Sequence, residues 1–387
     1  MPRLLLICEF PTLCGGERSM LATLGGLQSA GYEINVACPP TGLLAETVQR
    51  RGFVVTPFSV QGSDGRRIPL QQLRPSLRTV LASQRPHLVH ANSLSMSRLA
   101  GPVTAELGLP SVGHLRDIVG MSRAAMADVN RMGRLLAVSH ATRDFHVDAG
   151  LDPTKTHVLH NGVCLQEFQP RPATGWLHEE LGLPRHVRLL TSVGQIGMRK
   201  GLDVLLRAAE DVVRKHDDAA FLIAGRRQSV KAEAIAFEEQ IVRAVAAEPL
   251  VGRVFMLGQR DDVAAILNES TLLVHAARQE PFGRVLLEAA AAGVAVVATD
   301  VGGTREVFRA GQSVSDAPSR GGTLVPPDNA PALAEAIMRI LETPGYAAQL
   351  GAAGRRWAEQ ALDVRDTIGR LLTHYRAVLE TGQPGCS

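Results

Sequence analysis

The sequence predicts an α/β protein of two doubly wound domains, each built on a parallel sheet. A length of 387 residues exceeds a comfortable single core, so two domains of ordinary size are the natural arrangement. A hydrophobic share of 45% with only 4% aromatics and 37 glycines suits repeated strand, turn and helix units rather than a fibre or a disordered chain. Short apolar runs alternate with amphipathic segments throughout, as the β/α units of a parallel sheet require.

The first half places strands at 3–8, 33–38, 54–58, 87–91, 111–114, 135–138 and 156–160, which predicts a first domain over 1–168. The stretch QPRPATGW followed by LGLP then breaks the rhythm, and a linker is expected over 169–186. Strands resume at 188–193, 220–224, 254–257, 272–276, 295–298 and 323–325, predicting a second domain over 187–358. Helical spacing marks 332–341 and 368–379, the latter with Leu372, Tyr375 and Leu379 on one face, so the chain closes in a helical segment over 359–387. No internal repeat and no low-complexity tract interrupts this order.

No apolar run approaches the roughly 20 residues of a membrane span; the longest, 289–299, contains Gly293. The opening MPRLLLICEF breaks at Glu9 and reads as a buried strand rather than a signal peptide, so the chain is expected in the cytoplasm. Cys8, Cys14, Cys38, Cys164 and Cys386 form no CxxC pair and are expected to be free thiols without metal. The net charge is +3, and no nucleic-acid partner is expected. Residues 1–168 carry 16 Lys+Arg against 12 Asp+Glu, leaving 25 against 26 for the rest of the 41 and 38. Arg50, Arg51, Arg66, Arg67, Arg74, Arg78 and Arg85 face only Asp64 between positions 50 and 85. Such a run reads first as a solvated face and second as an anion or peripheral membrane contact.

Open parallel sheets bind ligands beyond the carboxyl ends of their strands, so the loops there hold the chemistry. RQEPFGRVLLEAAAAG, residues 278–293, follows an apolar strand and opens a helix. With Pro281 in the first turn, positions 282–285 would offer backbone amides to a phosphate, and Gly283 would let it approach closely. Glu288 lies further along this helix, where its carboxylate can accept from vicinal ribose hydroxyls. Spacing alone leaves open whether Glu280 is a helix-dipole partner and Glu288 a surface charge. TSVGQIGMRKG, residues 191–201, leads from a strand through glycines to Arg199 and Lys200, two cations suited to a diphosphate. ATDVGGTREVF, residues 298–308, is a third strand-to-helix turn of the same kind. None is a GxGxxG fingerprint, since the first strand leads into TLCGGERSM, and a hydride-transfer enzyme is not indicated.

Taken in order, CGGERSMLATLGGLQSAGYEINVAC, HLVHANS, VGHLRD, AVSHATRDFHVDAGLDPTKTHVLHNGV, VGQIGMRKGLDVLLRAA, FLIAG, VFMLGQRDDVAAIL and EPFGRVLLEAAAAGVAVVATDVGGTREV resemble glycosyltransferase family 4 over nearly the whole chain. The resemblance implies the GT-B architecture, two Rossmann-like domains facing a cleft, with C-terminal helices returning to the first domain. It implies retaining, metal-independent transfer of a sugar from a nucleotide diphosphate sugar, UDP- or GDP-linked, to a glycan, lipid-linked or small-molecule acceptor. No separate cofactor is implied.

By the same resemblance Lys200 contacts the donor diphosphate and Glu280 lies beside the donor sugar. Glu288, seven residues beyond it, would hold the ribose, while Phe282 and Gly283 would supply amides. His114 matches a histidine near the donor sugar, and Gly15 and Gly16 match a glycine loop below the diphosphate. On its residues alone His114 reads as a structural histidine after an apolar strand. Gln195 stands where many members have an arginine, which leaves Arg199 to compensate, and Cys164 stands where an aspartate is common. No DxD metal motif is present: Asp217 and Asp218 are adjacent, as are Asp261 and Asp262. The alternatives are a GT-B nucleotide-sugar epimerase and a non-catalytic nucleotide-sugar-binding partner subunit.

Overall fold

The computed structural model describes residues 1–62, 64–308 and 320–381. Cys386 lies outside the described residues; Cys8, Cys14, Cys38 and Cys164 are free thiols. The chain divides into two compact units. One holds Met1–Gly162 and the segment returning from Val364, the other Val163–Asp363.

In the first unit β1 (Arg3–Ile7), β2 (Glu33–Cys38), β3 (Val54–Pro57), β4 (Leu88–Ala91), β5 (Ser111–Leu115), β6 (Arg134–Ala137) and β7 (Thr156–Val158) form one parallel sheet. Its order is β3-β2-β1-β4-β5-β6-β7. The alternation of side chains decides which layer each residue joins. In β1, Leu4 and Leu6 enter one apolar cluster with Met20, Leu24 and Leu27, whereas Leu5 and Ile7 enter the opposite one with Leu73, Leu77 and Leu99. Both faces are therefore covered, and β4 is buried at every position.

In the second unit β8 (Arg188–Val193), β9 (Ala219–Ala224), β10 (Val254–Gly258), β11 (Leu272–His275), β12 (Ala295–Thr299) and β13 (Gly322–Val325) repeat the pattern as β10-β9-β8-β11-β12-β13, again parallel. Every expected strand is present, with ends displaced by at most two residues. Strand order reverses between β1 and β4 and between β8 and β11, and the loops beyond those strands are where such sheets hold ligands.

The segment read as a linker is fastened to the second unit. It contains the helix Trp176–Leu181, whose Leu177 is buried with Leu189 and Leu222. The buried carboxylate of Glu269 accepts from the backbone N–H of Thr174 at 2.7 Å and of Gly175 at 2.8 Å. The stretch ahead of this helix is thus anchored rather than free.

The two C-terminal helices part company. Tyr346–Ala361 stays with the second unit, where Arg355 Nη1 donates to Ala291 O at 2.7 Å. Only Val364–Thr381 returns to the first unit. Its buried face is centred on Leu371, Tyr375 and Val378, one helical position from the expected set; Leu372 and Leu379 flank it, partly buried. Close approach is possible because Gly26 lacks a side chain: a Cβ there would lie 2.5 Å from Ile368 Cδ1.

Three arginines of the basic stretch pair with carboxylates from elsewhere in their own unit. Arg67 pairs with Glu9, Arg78 with Glu106, and Arg74 with Asp128 at 2.8 Å. No described helix is long and apolar enough to cross a membrane.

Candidate functional site

Beyond the carboxyl ends of β8 and β11, the second unit assembles a buried charge cluster. After β8 the chain bends at Gly194 and reaches a 3-10 turn, Met198–Lys200, stopped by Gly201 in the left-handed region at φ +61°. Only glycine fits there, because a Cβ would lie 2.0 Å from Ala276 O in the neighbouring loop. The following helix, Leu202–Lys215, buries Leu202, Leu205, Ala209 and Val212 and carries Asp203 in its first turn and Arg214 and Lys215 in its last, which suits its dipole.

Lys200 Nζ lies 2.5 Å from Glu280 Oε2, and His275 Nε2, at the end of β11, lies 2.8 Å from the same oxygen. Burial alone would raise the pKa of Glu280. The charge of Lys200, the His275 hydrogen bond and the charge of Arg199 outweigh it and hold the carboxyl well below the usual range. Burial and then the charge of Lys200 lower His275, which is accordingly neutral and donates from Nε2–H. The backbone of Glu280 is held too: its carbonyl accepts from Gly303 N–H at 2.9 Å.

The helix after this loop starts later than expected, at Arg284 rather than around Pro281, with Gly283 as its N-cap at φ +84°. A left-handed residue cannot continue a right-handed helix, so Pro281 and Phe282 belong to the loop. Phe282 is fully buried. Glu288 is 6% exposed, which rules out a solvent-facing charge, and it accepts from Arg284 Nε at 2.6 Å. The GGT turn after β12 is a buttress: a Cβ on Gly303 would lie 2.2 Å from Pro281 O and 2.8 Å from Phe282 Cα.

Arg278 joins the two loops. It donates to Asp203 at 2.8 and 2.7 Å and to Met198 O at 2.8 Å, while its own N–H donates to Arg199 O at 2.8 Å. Arg199 is half-buried, and its Nη1 reaches Gln279 O at 3.5 Å. Neither His275 nor Arg278 figured among the expected site residues, although both lie within five residues of Glu280. The side chain of Lys200 is 16% exposed and its partner is buried, because the fold closes this turn onto the β11 loop.

Among residues expected in the first unit, Gly15 and Gly16 are not a loop but the first turn of the helix Gly15–Ser29. Cys14 N–H donates to Glu17 Oε2 at 3.1 Å, closing that turn as a capping box does. A Cβ on Gly16 would lie 2.9 Å from Arg116 Cδ, so the small residue admits the arginine. Arg116 donates to Asn92 Oδ1 at 2.9 Å and Asn161 Oδ1 at 3.1 Å, tying together the segments after β4, β5 and β7. His114, 4% exposed in β5, lies beside it, with Nδ1 3.1 Å from Arg116 Nη2. The structure thus gathers Lys200, Arg199, Glu280, Phe282, Gly283 and Glu288 in one unit and Gly15, Gly16 and His114 in the other.

Residues 14–167 match the model described as Glycosyltransferase Family 4, and residues 177–357 match the one described as Glycosyl transferases group 1. The lipopolysaccharide core biosynthesis mannosyltransferase of Rhizobium leguminosarum is 31% identical over 224 residues, 58% of this chain and 58% of that protein. This chain therefore spans less than two thirds of that relative. The phosphatidyl-myo-inositol mannosyltransferase of Mycolicibacterium smegmatis is 29% identical over 392 aligned positions, covering 95% of this chain and 94% of that one. In fold, the crystal structure of Anabaena HepE in complex with UDP and glucose superposes with a TM-score of 0.84 at 21% identity, over 97% of this chain and 100% of that one. The GT-B fold expected from the sequence is the fold of this chain.

Proposed function

Since this chain belongs to the glycosyltransferases, a family 4 domain followed by a group 1 domain, we propose that it transfers a sugar, with retention, from a UDP- or GDP-linked donor to a glycan, lipid-linked or small-molecule acceptor. The observation that carries this reading is the Lys200, His275 and Glu280 cluster at the switch point of the second sheet, with buried Glu288 on the helix that follows.

In the proposed step the anomeric C–O bond to the diphosphate breaks, and its electron pair leaves with the diphosphate. A bond from the acceptor oxygen to the anomeric carbon forms on the same face, and the acceptor proton passes to the departing phosphate. Negative charge grows on the leaving group. In this reading Lys200, Arg199 and the amides around Gly283 would meet it, and preorganised donors of this kind contribute on the order of 3 kcal/mol each. Glu280 stays ionised at neutral pH, so it accepts from sugar hydroxyls and does not act as a general acid. Glu288 accepts from the ribose hydroxyls.

A thermal-shift screen with UDP, GDP, ADP, CMP and TDP tests the donor. A nucleotide at 100 times its dissociation constant stabilises the protein by about 2.7 kcal/mol. The matching nucleotide sugar is then incubated with and without acceptors. Transfer supports the reading, epimerised donor points to an epimerase, and binding without turnover points to a silent partner subunit.

A further inference from the structure

The face of the first sheet that carries Leu6, Val112 and Leu136 is the one the returning helix Val364–Thr381 covers, through Leu371, Tyr375 and Val378. Two histidines stand in register with those strand residues: His90 beside Leu6 and Val112, and His157 beside Leu136. Both meet the helix. The Tyr375 hydroxyl lies 2.6 Å from His90 Nδ1, and the His374 ring lies 5.4 Å from that of His157. A helix docked by apolar contacts alone would be indifferent to pH. These two contacts are not.

Arg116 Nη2 lies 3.1 Å from His114 Nδ1, and a guanidinium only donates, so that nitrogen carries a lone pair. His90 Nε2, 3.3 Å from the same nitrogen, donates to it, which leaves His90 Nδ1 to accept from Tyr375 O–H. A proton on Nδ1 would take that lone pair and set a buried cation beside Arg116. We propose that the returning helix is held by a proton-sensitive latch: it stays docked while His90 and His374 are neutral, and acid releases it before the rest of the first unit unfolds. Release would bare the apolar face of Leu371, Tyr375 and Val378. The helix keeps its backbone hydrogen bonds to itself, so it can leave without breaking a ladder of the sheet.

Tyr375, His114 and Arg116 face His90, with Glu17 of the helix Gly15–Ser29 and the Cys8 thiol just after β1 acting on Arg116. Arg134 of β6 and His157 of β7 face His374, and Arg143 acts on His157. Tyr32 packs against Tyr375 with ring centroids 5.7 Å apart. Burial first and Arg116 second lower His90 to about 3; burial, then Arg134 and His157, lower His374 to about 4. Unfolded histidines titrate near 6.5. Each therefore contributes docking stability that is fully present above about pH 6.5 and is lost as pH falls towards its folded value, because the uncovered ring binds the proton that the docked one refuses.

The latch stands apart from the transfer reaction, and its test needs no substrate. Hydrogen–deuterium exchange of the full chain, corrected for the intrinsic pH dependence of exchange, compares residues 364–381 with β1 at pH 7 and 5. Protection of the helix is expected to lie below that of β1 and to fall about 20-fold for each of the two histidines. His374→Phe keeps a ring against His157 without a titrating group, and is expected to remove one of these factors. His90→Gln, whose amide can both accept from Tyr375 and donate to His114, is expected to remove the other. Helix protection equal to that of β1 at pH 5 overturns the proposal, as does a fall of the same size in both variants. Should a variant fail to fold, the wild type decides: a helix whose protection changes less than about threefold between the two pH values is not latched by these histidines.

Discussion

Lys200 and Glu280, 80 residues apart, form an ion pair of 2.5 Å in which both side chains are largely withdrawn from water, 16% and 7% exposed. A pair of this kind is costly to break from one side. The carboxylate left behind has already lost its hydration and keeps His275 and Arg199 nearby. Lys200→Ala is expected to lose about 3 to 5 kcal/mol of stability in urea unfolding as well as donor turnover. Lys200→Met combined with Glu280→Gln, which removes both charges, is expected to recover most of the stability and none of the turnover. A single variant as stable as wild type would show that the pair is not buried in solution.

Glu288→Gln is expected to weaken donor binding. An amide loses the charge-assisted bonds to vicinal hydroxyls, each worth about 1.5 to 3 kcal/mol. Calorimetric titration with the nucleotide found in the thermal-shift screen measures this. An unchanged dissociation constant would leave Glu288 as the structural partner of Arg284.

Gly303→Ala inserts a methyl group 2.2 Å from Pro281 O, where backbone must move to admit it. The displacement falls on the loop whose Glu280 carbonyl accepts from the same glycine. We expect a loss of about 1 to 3 kcal/mol of stability, and a weaker donor complex through the displaced Glu280 loop. Melting temperature and donor titration check both, and a silent substitution would show that the two loops do not lean on each other.

Arg199→Ala is expected to reduce kcat/KM less than Lys200→Ala, because Arg199 acts on Glu280 only through its charge whereas Lys200 touches it. Gln195→Arg in the Arg199→Ala background is expected to restore part of the loss by returning a planar cation to the same loop. Kinetics of the single and double variants with one donor measure the coupling. Wild-type activity in Arg199→Ala would reduce that residue to a surface charge.

His90 is lowered to about 3, by burial first and the charge of Arg116 second. Its ordinary value is about 6.5, so between those limits the unfolded chain binds the extra proton. Stability that is fully present above pH 6.5 is therefore lost as pH falls through that window, at about 1.4 kcal/mol per pH unit for one proton. His90→Gln has no such proton to lose. The stability advantage of wild type over His90→Gln should shrink as urea unfolding is moved from pH 7 to 5. A constant difference would mean that His90 is hydrated or already charged in the folded protein.

The thirteen strands of the described residues and the glycine-punctuated loops after them were legible in the residues alone, because apolar periodicity and turn chemistry are local properties of a chain. The strand-to-helix loops that carry Lys200, Glu280 and Glu288 stood out as candidates, but spacing alone left Glu280 and Glu288 open between site and surface, and their roles came only from the family resemblance. Partners were not legible. That Lys200 meets Glu280, that Arg67 finds Glu9 and Arg74 finds Asp128, and that Glu269 fastens the segment at Thr174 depend on which loops the strand order brings together. Burial was equally hidden. A glutamate on a helix looks the same in sequence whether it faces water or, like Glu288, the interior. The longest connection belongs wholly to the tertiary structure: helical spacing marked Tyr375, but only the return of its helix to the first sheet sets its hydroxyl on His90. Local pattern determines what a segment becomes, while charge pairing and proton placement are decided by neighbours that no periodicity encodes.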